Sequence, residues 1–197
     1  MSSLFTECLR DEARAINYAA SKLCGKEINK SLKIIENCFE TKSKIIISGV
    51  GKSGIVARKM AATFTSAGGM AVYLNPLDAL HGDLGILNNL DVCILLSNSG
   101  ETKELLDIVP HLKRRDLKII SLVGNQNSTL GKSADAVLET KVDKEICPLN
   151  LAPTTSTTVA MAIGDAIATV WMRRKGITTK EFAYNHPAGS LGKKISL

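Results

Sequence analysis

The side chains able to move protons sit beside turns. His81 and His186 are two of three histidines, found in His81-Gly82-Asp83 and His186-Pro187-Ala188-Gly189, whereas His111 follows Pro110 inside an expected helix. Loop histidines are well placed for proton transfer near neutral pH. The segment Ser97-Asn98-Ser99-Gly100-Glu101-Thr102 gathers three hydroxyls, an amide and backbone N–H groups just before an expected helix. A helix cap needs one hydroxyl. Three of them, where the helix dipole also favours an anion, describe a phosphate cradle. Glu104 follows within the first turn or two, so a phosphate held by the loop would bring a sugar's carbon chain near a carboxylate able to act as a base. Glu145, in Lys144-Glu145-Ile146-Cys147-Pro148, reads by itself as a solvated loop charge. No HxxxH or paired-cysteine spacing occurs, so no metal site is expected.

Gly49-Val50-Gly51-Lys52-Ser53-Gly54 fits the glycine pattern of dinucleotide-binding turns. The ribose-binding acid that should end the next strand is missing, because Leu74-Asn75-Pro76 stands there. A Walker A loop would need glycine at position 46, which is Ile46.

These loops must be held by a scaffold. Apolar runs at 44–48, 70–74, 92–96, 118–123 and 136–138 have the composition of strands buried on both faces, and most successive runs are separated by enough chain for a crossover helix. The expected fold is therefore α/β, a parallel sheet of about five strands between helical layers. Residues 4–23 and 27–39 read as two amphipathic helices split by Gly25, giving a helical segment over 1–40 that packs on a single domain spanning 1–197.

Composition narrows the classes further. The chain has 197 residues, 45% apolar and 22% charged, which suits one globular domain. Its 25 Lys and Arg against 19 Asp and Glu give +6 and favour anionic ligands. The basic clusters Lys113-Arg114-Arg115 and Arg173-Arg174-Lys175 fall where helices end, and aromatic residues make up only 4%, so no nucleic-acid partner is expected. The stretch Leu151–Met172 carries a single charge, Asp165, but its threonines and Gly164 make a buried helix the better reading than a membrane span. Five scattered cysteines and an acidic start point to a reducing cytoplasm.

Taken together, Gly49-Val50-Gly51-Lys52-Ser53-Gly54, His81-Gly82-Asp83-Leu84-Gly85, Ser97-Asn98-Ser99-Gly100-Glu101, Leu151-Ala152-Pro153-Thr154-Thr155-Ser156-Thr157-Thr158 and His186-Pro187-Ala188-Gly189 closely resemble the sugar isomerase (SIS) domain of arabinose 5-phosphate isomerases. The resemblance implies a five-stranded parallel sheet and interconversion of D-ribulose 5-phosphate with D-arabinose 5-phosphate, which feeds synthesis of Kdo, the acidic sugar of bacterial lipopolysaccharide and some capsules. Matching motifs put Lys52, Glu104, Glu145 and His186 where the family's catalytic candidates lie. Ser53, Ser97, Ser99 and Thr102 fall where the phosphate is held, His81 faces the substrate, and Gly51, Gly68, Gly69 and Asn98 complete the substrate-binding set. Many members carry a pair of CBS modules after the His-Pro segment, whereas this sequence stops at Leu197, so a single-domain form is expected. Some members have a zinc-capable histidine where Asn75 stands here, which agrees with expecting no metal.

Aldose–ketose exchange needs a base at carbon, proton handling at two oxygens and positive charge near the developing oxyanion. Glu104 or Glu145 is expected as the carbon base, Lys52 as the group that steadies the enediolate, and His186 as the ring-opening group, with no cofactor. A homodimer or homotetramer with sites between subunits is expected, His186 acting in trans to Glu104. The rival reading is a sugar-phosphate sensor; its transcriptional version should carry a helix-turn-helix, and none is recognisable before the first strand.

Overall fold

The computed structural model describes residues 2–187; the Ala188-Gly189 end of the His-Pro motif and the Gly192-Lys193-Lys194 tail lie outside them. Two helices come first, α1 (Ser2–Lys22) and α2 (Gly25–Glu40). Strands and helices then alternate: β1 (Ile45–Gly49), α3 (Gly51–Ser66), β2 (Ala71–Leu74), the short α4 (Pro76–Ala79), a 3₁₀ turn (Asp83–Ile86), β3 (Val92–Ser97), α5 (Lys103–Lys113), β4 (Lys118–Val123), α6 (Thr129–Ser133) and β5 (Ala136–Glu139). The chain closes with α7 (Thr155–Lys175) and α8 (Thr179–Tyr184). Each expected strand is present within a residue or so. The expected split at Gly25 moves: Cys24 is the extended residue that interrupts the helices, and Gly25 opens α2.

All strand pairs are parallel, in the order β2-β1-β3-β4-β5. Period-two alternation divides the apolar residues between two cores. Ile45, Ile47, Ile94, Leu96, Ile120 and Leu122 face α2, α3 and α7, whereas Ile46, Cys93, Leu95, Ile119 and Val123 face the layer built by α5 and α6. Burial on both faces is why these strands read as unbroken apolar runs. The outer edge of β5 is covered by α2, where Glu27 Oε2 accepts the Val137 N–H at 3.0 Å. At the opposite end of the sheet from the Ser97 loop, buried Asp91 accepts from the Lys44 ammonium at 2.6 Å and from the Asn88 N–H at 2.7 Å.

The nearly uncharged stretch becomes α7, whose Val159, Ile163, Ile167 and Trp171 are buried in the first core. Among the described residues no helix is long and apolar enough to cross a membrane. Strand order decides where a ligand can enter. Going outward from β1, the chain first takes the β2 side and then returns to β3 on the other, so the loops leaving β1 and β3 diverge and open a crevice beyond their carboxyl ends.

Candidate active site

The two loops at that crevice are the ones singled out for their chemistry. After β1 the backbone turns at once into α3, which demands glycine for close packing. A Cβ on Gly49 would meet the Ser53 carbonyl carbon at 2.8 Å, one on Gly54 would meet the Gly49 carbonyl oxygen at 2.7 Å, and Gly51 has φ +58°. The glycine pattern thus serves a tight strand-to-helix turn. Asn75, where the dinucleotide-type acid would stand, caps α4 by accepting the Leu77 N–H at 3.1 Å. The turn leaves Lys52 exposed on the first turn of α3 and Ser53 half-buried behind it.

After β3 the Ser97 loop is knitted by its own hydroxyls. Ser97 Oγ lies 2.8 Å from Thr102 Oγ1 and accepts the Gly100 N–H at 3.0 Å, while Ser99 Oγ accepts the Glu101 N–H at 3.1 Å. Ser97 is buried; Asn98 and Ser99 are exposed. The loop leads into α5, whose first amides have no intrahelical acceptor. Free amides and hydroxyls thus meet at this helix end, the arrangement that an anion site needs. Glu104 lies half-buried in that first turn, and its neighbour Lys103 reaches along the helix to Asp107 at 2.5 Å. Glu101 turns away from the crevice: its Oε1 accepts the Thr129 N–H at 2.8 Å, which holds this exposed carboxyl below the usual carboxylate range.

The third wall is the start of α7, and it explains Glu145. Glu145 Oε2 accepts the Thr154 N–H at 2.7 Å, the Thr154 hydroxyl at 3.0 Å and the Ser156 N–H at 3.1 Å, while Oε1 accepts the Ser156 hydroxyl. Burial alone would raise its pKa. The hydrogen bonds from Ser156 and Thr154 outweigh burial and hold the carboxyl below the usual carboxylate range. Glu145 is therefore an ionised cap on a long helix, with both oxygens engaged. It is not the solvated loop charge that its sequence neighbours suggest.

Ser53, Ser97, Asn98, Thr140, Ser156 and Thr157 line a cavity of about 50 Å³ where the three walls meet. That is far below the roughly 300 Å³ of a complete small-ligand pocket. Thr140, Ser156 and Thr157 had no place among the expected site residues. The hydroxyl run at 154–158 was the available signal, legible only as a family motif.

The other expected residues lie elsewhere. His81 is exposed on the turn after α4, its N–H donating to the Asp78 carbonyl at 2.9 Å. His186 follows α8, stacked on the Phe182 ring at 4.1 Å, with Nδ1 2.7 Å from the Phe182 carbonyl oxygen. A carbonyl only accepts, so Nδ1 carries the proton and Nε2 is the basic nitrogen. Asn185 donates to the Ser66 carbonyl at 3.3 Å, and its amide nitrogen would be 3.5 Å from a Cβ on Gly68. Gly69 is pressed between Phe39 and Trp171, which a Cβ would meet at 2.8 and 3.0 Å. Gly68, Gly69 and Asn185 thus gather at the end of α3 remote from Ser53, a rise of roughly 20 Å along the helix, with His186 next in the chain.

A family model for the SIS domain matches residues 39–170. Arabinose 5-phosphate isomerase KpsF of Escherichia coli is 46% identical over 189 residues, 96% of this chain and 59% of that protein. Arabinose 5-phosphate isomerase KdsD of Francisella tularensis is 43% identical over 172 residues, 87% of this chain and 53% of that protein. The chain thus spans little more than half the length of the curated relatives it matches. A solved structure of E. coli CFT073 c3406 in complex with arabinose 5-phosphate superposes with a TM-score of 0.88 at 37% identity, covering 94% of this chain and 96% of that one.

Proposed function

This chain belongs to the SIS-domain family, and on that basis we propose that it is a cytoplasmic aldose–ketose isomerase interconverting D-ribulose 5-phosphate and D-arabinose 5-phosphate, with the product feeding Kdo synthesis. The observation that carries the reading is the crevice beyond β1 and β3, where a hydroxyl-rich loop, a helix N-terminus and Glu104 lie within one ligand's reach, in a chain 46% identical to an isomerase of that substrate.

The phosphate sits on Ser99, Thr102 and the first amides of α5, with Asn98 beside them and Ser53 on the facing wall, and fixes the carbon chain in place. The carbon base takes the C2 proton of the open-chain aldose, leaving an enediolate. The proton returns to C1 while the hydroxyl proton passes from O2 to O1. The exchange balances internally, so no cofactor or metal is invoked. The engaged, low-pKa carboxylate of Glu145 supports Glu104 as the carbon base. Lys52, exposed at the start of α3, supplies positive charge to the enediolate. His186, with Nε2 basic, handles ring opening.

His186, Gly68 and Gly69 gather away from the phosphate cradle, and the cavity within one chain is small. Both facts support a site shared between subunits of a homodimer or homotetramer, one supplying the cradle and Glu104, its neighbour supplying His186. The test is direct: incubate the protein with ribulose 5-phosphate and follow arabinose 5-phosphate by proton NMR. Appearance of the aldose, with free arabinose left unchanged, is expected. Binding without turnover would make the protein a sugar-phosphate sensor instead.

A further inference from the structure

One carboxyl beside the site has no part in the mechanism above. Glu12, on α1, points at the first turn of α7. Its Oε1 is 3.5 Å from the Thr155 hydroxyl, and the Thr158 hydroxyl also reaches the carboxyl. Its Oε2 is buried without a hydrogen-bond partner among the described residues. Thr155 is itself buried, and its hydroxyl oxygen accepts the Ile146 N–H at 3.0 Å. Ile146 adjoins Glu145, whose carboxylate caps the same helix turn. A continuous path therefore runs from Glu12 through Thr155 to the loop that carries Glu145 and to the wall formed by Ser156 and Thr157.

We propose that Glu12 is a positioning residue that locks the 144–150 loop and the start of α7 through Thr155 and so holds the Glu145 carboxylate against its partners on that helix end. The substrate step it serves rests on the isomerase reading above. Burial pushes Glu12 above the usual carboxylate range, the Thr158 and Thr155 hydroxyls pull it back in part, and the charge of Glu145 pushes it up again. The other charged groups along the cleft between α1 and the loop are Glu7, Asp11 and Arg14 on α1 and Asp143 and Lys144 on the loop, with Arg14 paired to Asp11. On α7 the nearest charge, Asp165, lies more than two turns along and is paired with Lys59.

The test compares Glu12→Gln, which keeps the shape without a titrating proton, with Glu12→Ala and Glu12→Asp in the full chain. Titration of the Glu145 carboxyl is followed by ¹³C NMR of glutamate-labelled protein, its signal assigned by loss in Glu145→Gln. Glu12→Gln, whose amide oxygen can still accept from Thr155, should leave kcat near wild type and the Glu145 titration in place, whereas Glu12→Ala should loosen the Thr154 and Ser156 hydrogen bonds to Glu145 and move its titration to higher pH. Glu12→Ala should lower kcat about ten-fold with KM little changed, and Glu12→Asp should recover part of that loss. An unchanged Glu145 titration in Glu12→Ala would overturn the proposal, as would full kcat in that variant. The NMR measurement needs no turnover, so it judges Glu12 even if the isomerase reading fails.

Discussion

At the residue scale two glutamates with equal claims from sequence behave differently once folded. Glu104 is half-buried in the first turn after the Ser97 loop, whereas Glu145 has both carboxylate oxygens satisfied at the start of α7. We expect Glu104→Gln to lower kcat by about 10²–10⁴ without moving the melting temperature, the signature of a lost carbon base. Glu145→Gln puts an amide where two backbone N–H groups and two hydroxyls need an acceptor, so it should cost about 1–3 kcal/mol of stability together with activity. Kinetics and thermal melts of the two variants, read together, check the assignment; equal melting temperatures would return Glu145 to contention as the base. The same contrast has a pH sign. A carboxyl whose folded pKa lies below its usual value near 4.5 contributes stability that is full above that value and is lost as pH falls through the folded pKa. The stability gap between wild type and Glu145→Gln should therefore be widest at neutral pH and close as the pH falls below the usual carboxylate range in urea titrations.

At the scale of elements, the Ser97 loop is held by the strand next door as much as by its own hydroxyls. The Gly100 carbonyl accepts the Leu130 N–H at 3.0 Å, the Asn98 carbonyl accepts the Gly124 N–H at 2.9 Å, and Glu101 caps the segment entering α6. Gly100 sits at φ +70°, and a Cβ there would collide with the Ser128 side chain. Gly100→Ala should accordingly cost about 2–3 kcal/mol, part from left-handed backbone and part from the collision. It should also weaken inorganic phosphate binding, measured by calorimetry. Ser128→Gly removes the collision together with the cap that Ser128 Oγ gives the Gly131 N–H, so measured against the Ser128→Gly single variant the Gly100→Ala loss in urea midpoint should recover in part. No recovery would assign the whole cost to the backbone, and an undamaged Gly100→Ala protein would show that the loop is not held as described.

At the scale of the whole molecule the open question is what completes the crevice. Leu4, Phe5 and Leu9 of α1 are each more than half exposed, as are Leu149 and Leu151 in the loop before α7. Apolar surface of this kind, in a chain that keeps His186 and Gly68-Gly69 away from the Ser97 loop, is the expectation for a face covered by a second copy. Glu104→Ala and His186→Ala proteins, each inactive alone, should regain activity when unfolded and reassembled together. Half of random dimers are mixed and each has one of two sites intact, giving about a quarter of wild-type turnover. Activity staying at the background of the separate variants, with subunit exchange verified by mass spectrometry, would show that each site is built within one chain.

The strand positions, the two-faced burial of the sheet and the placing of the Gly49 and Ser97 loops after β1 and β3 were legible in the sequence, because they follow from local signals: apolar runs, turn residues and hydroxyl clusters. Strand order was not, since nothing in a run of isoleucines says which neighbour it will pair with, and strand order is what opens the crevice between β1 and β3. The role of Glu145 was equally hidden, because its partners Thr154 and Ser156 lie 9 and 11 residues away and meet it only when α7 packs back on the sheet. Glu12 is separated from Thr155 by 143 residues and carried no signal at all. Sequence by itself determined which residue types were available and which local elements would present them; tertiary packing decided their proton affinities, because burial and hydrogen bonds from distant segments set the energy of a charge.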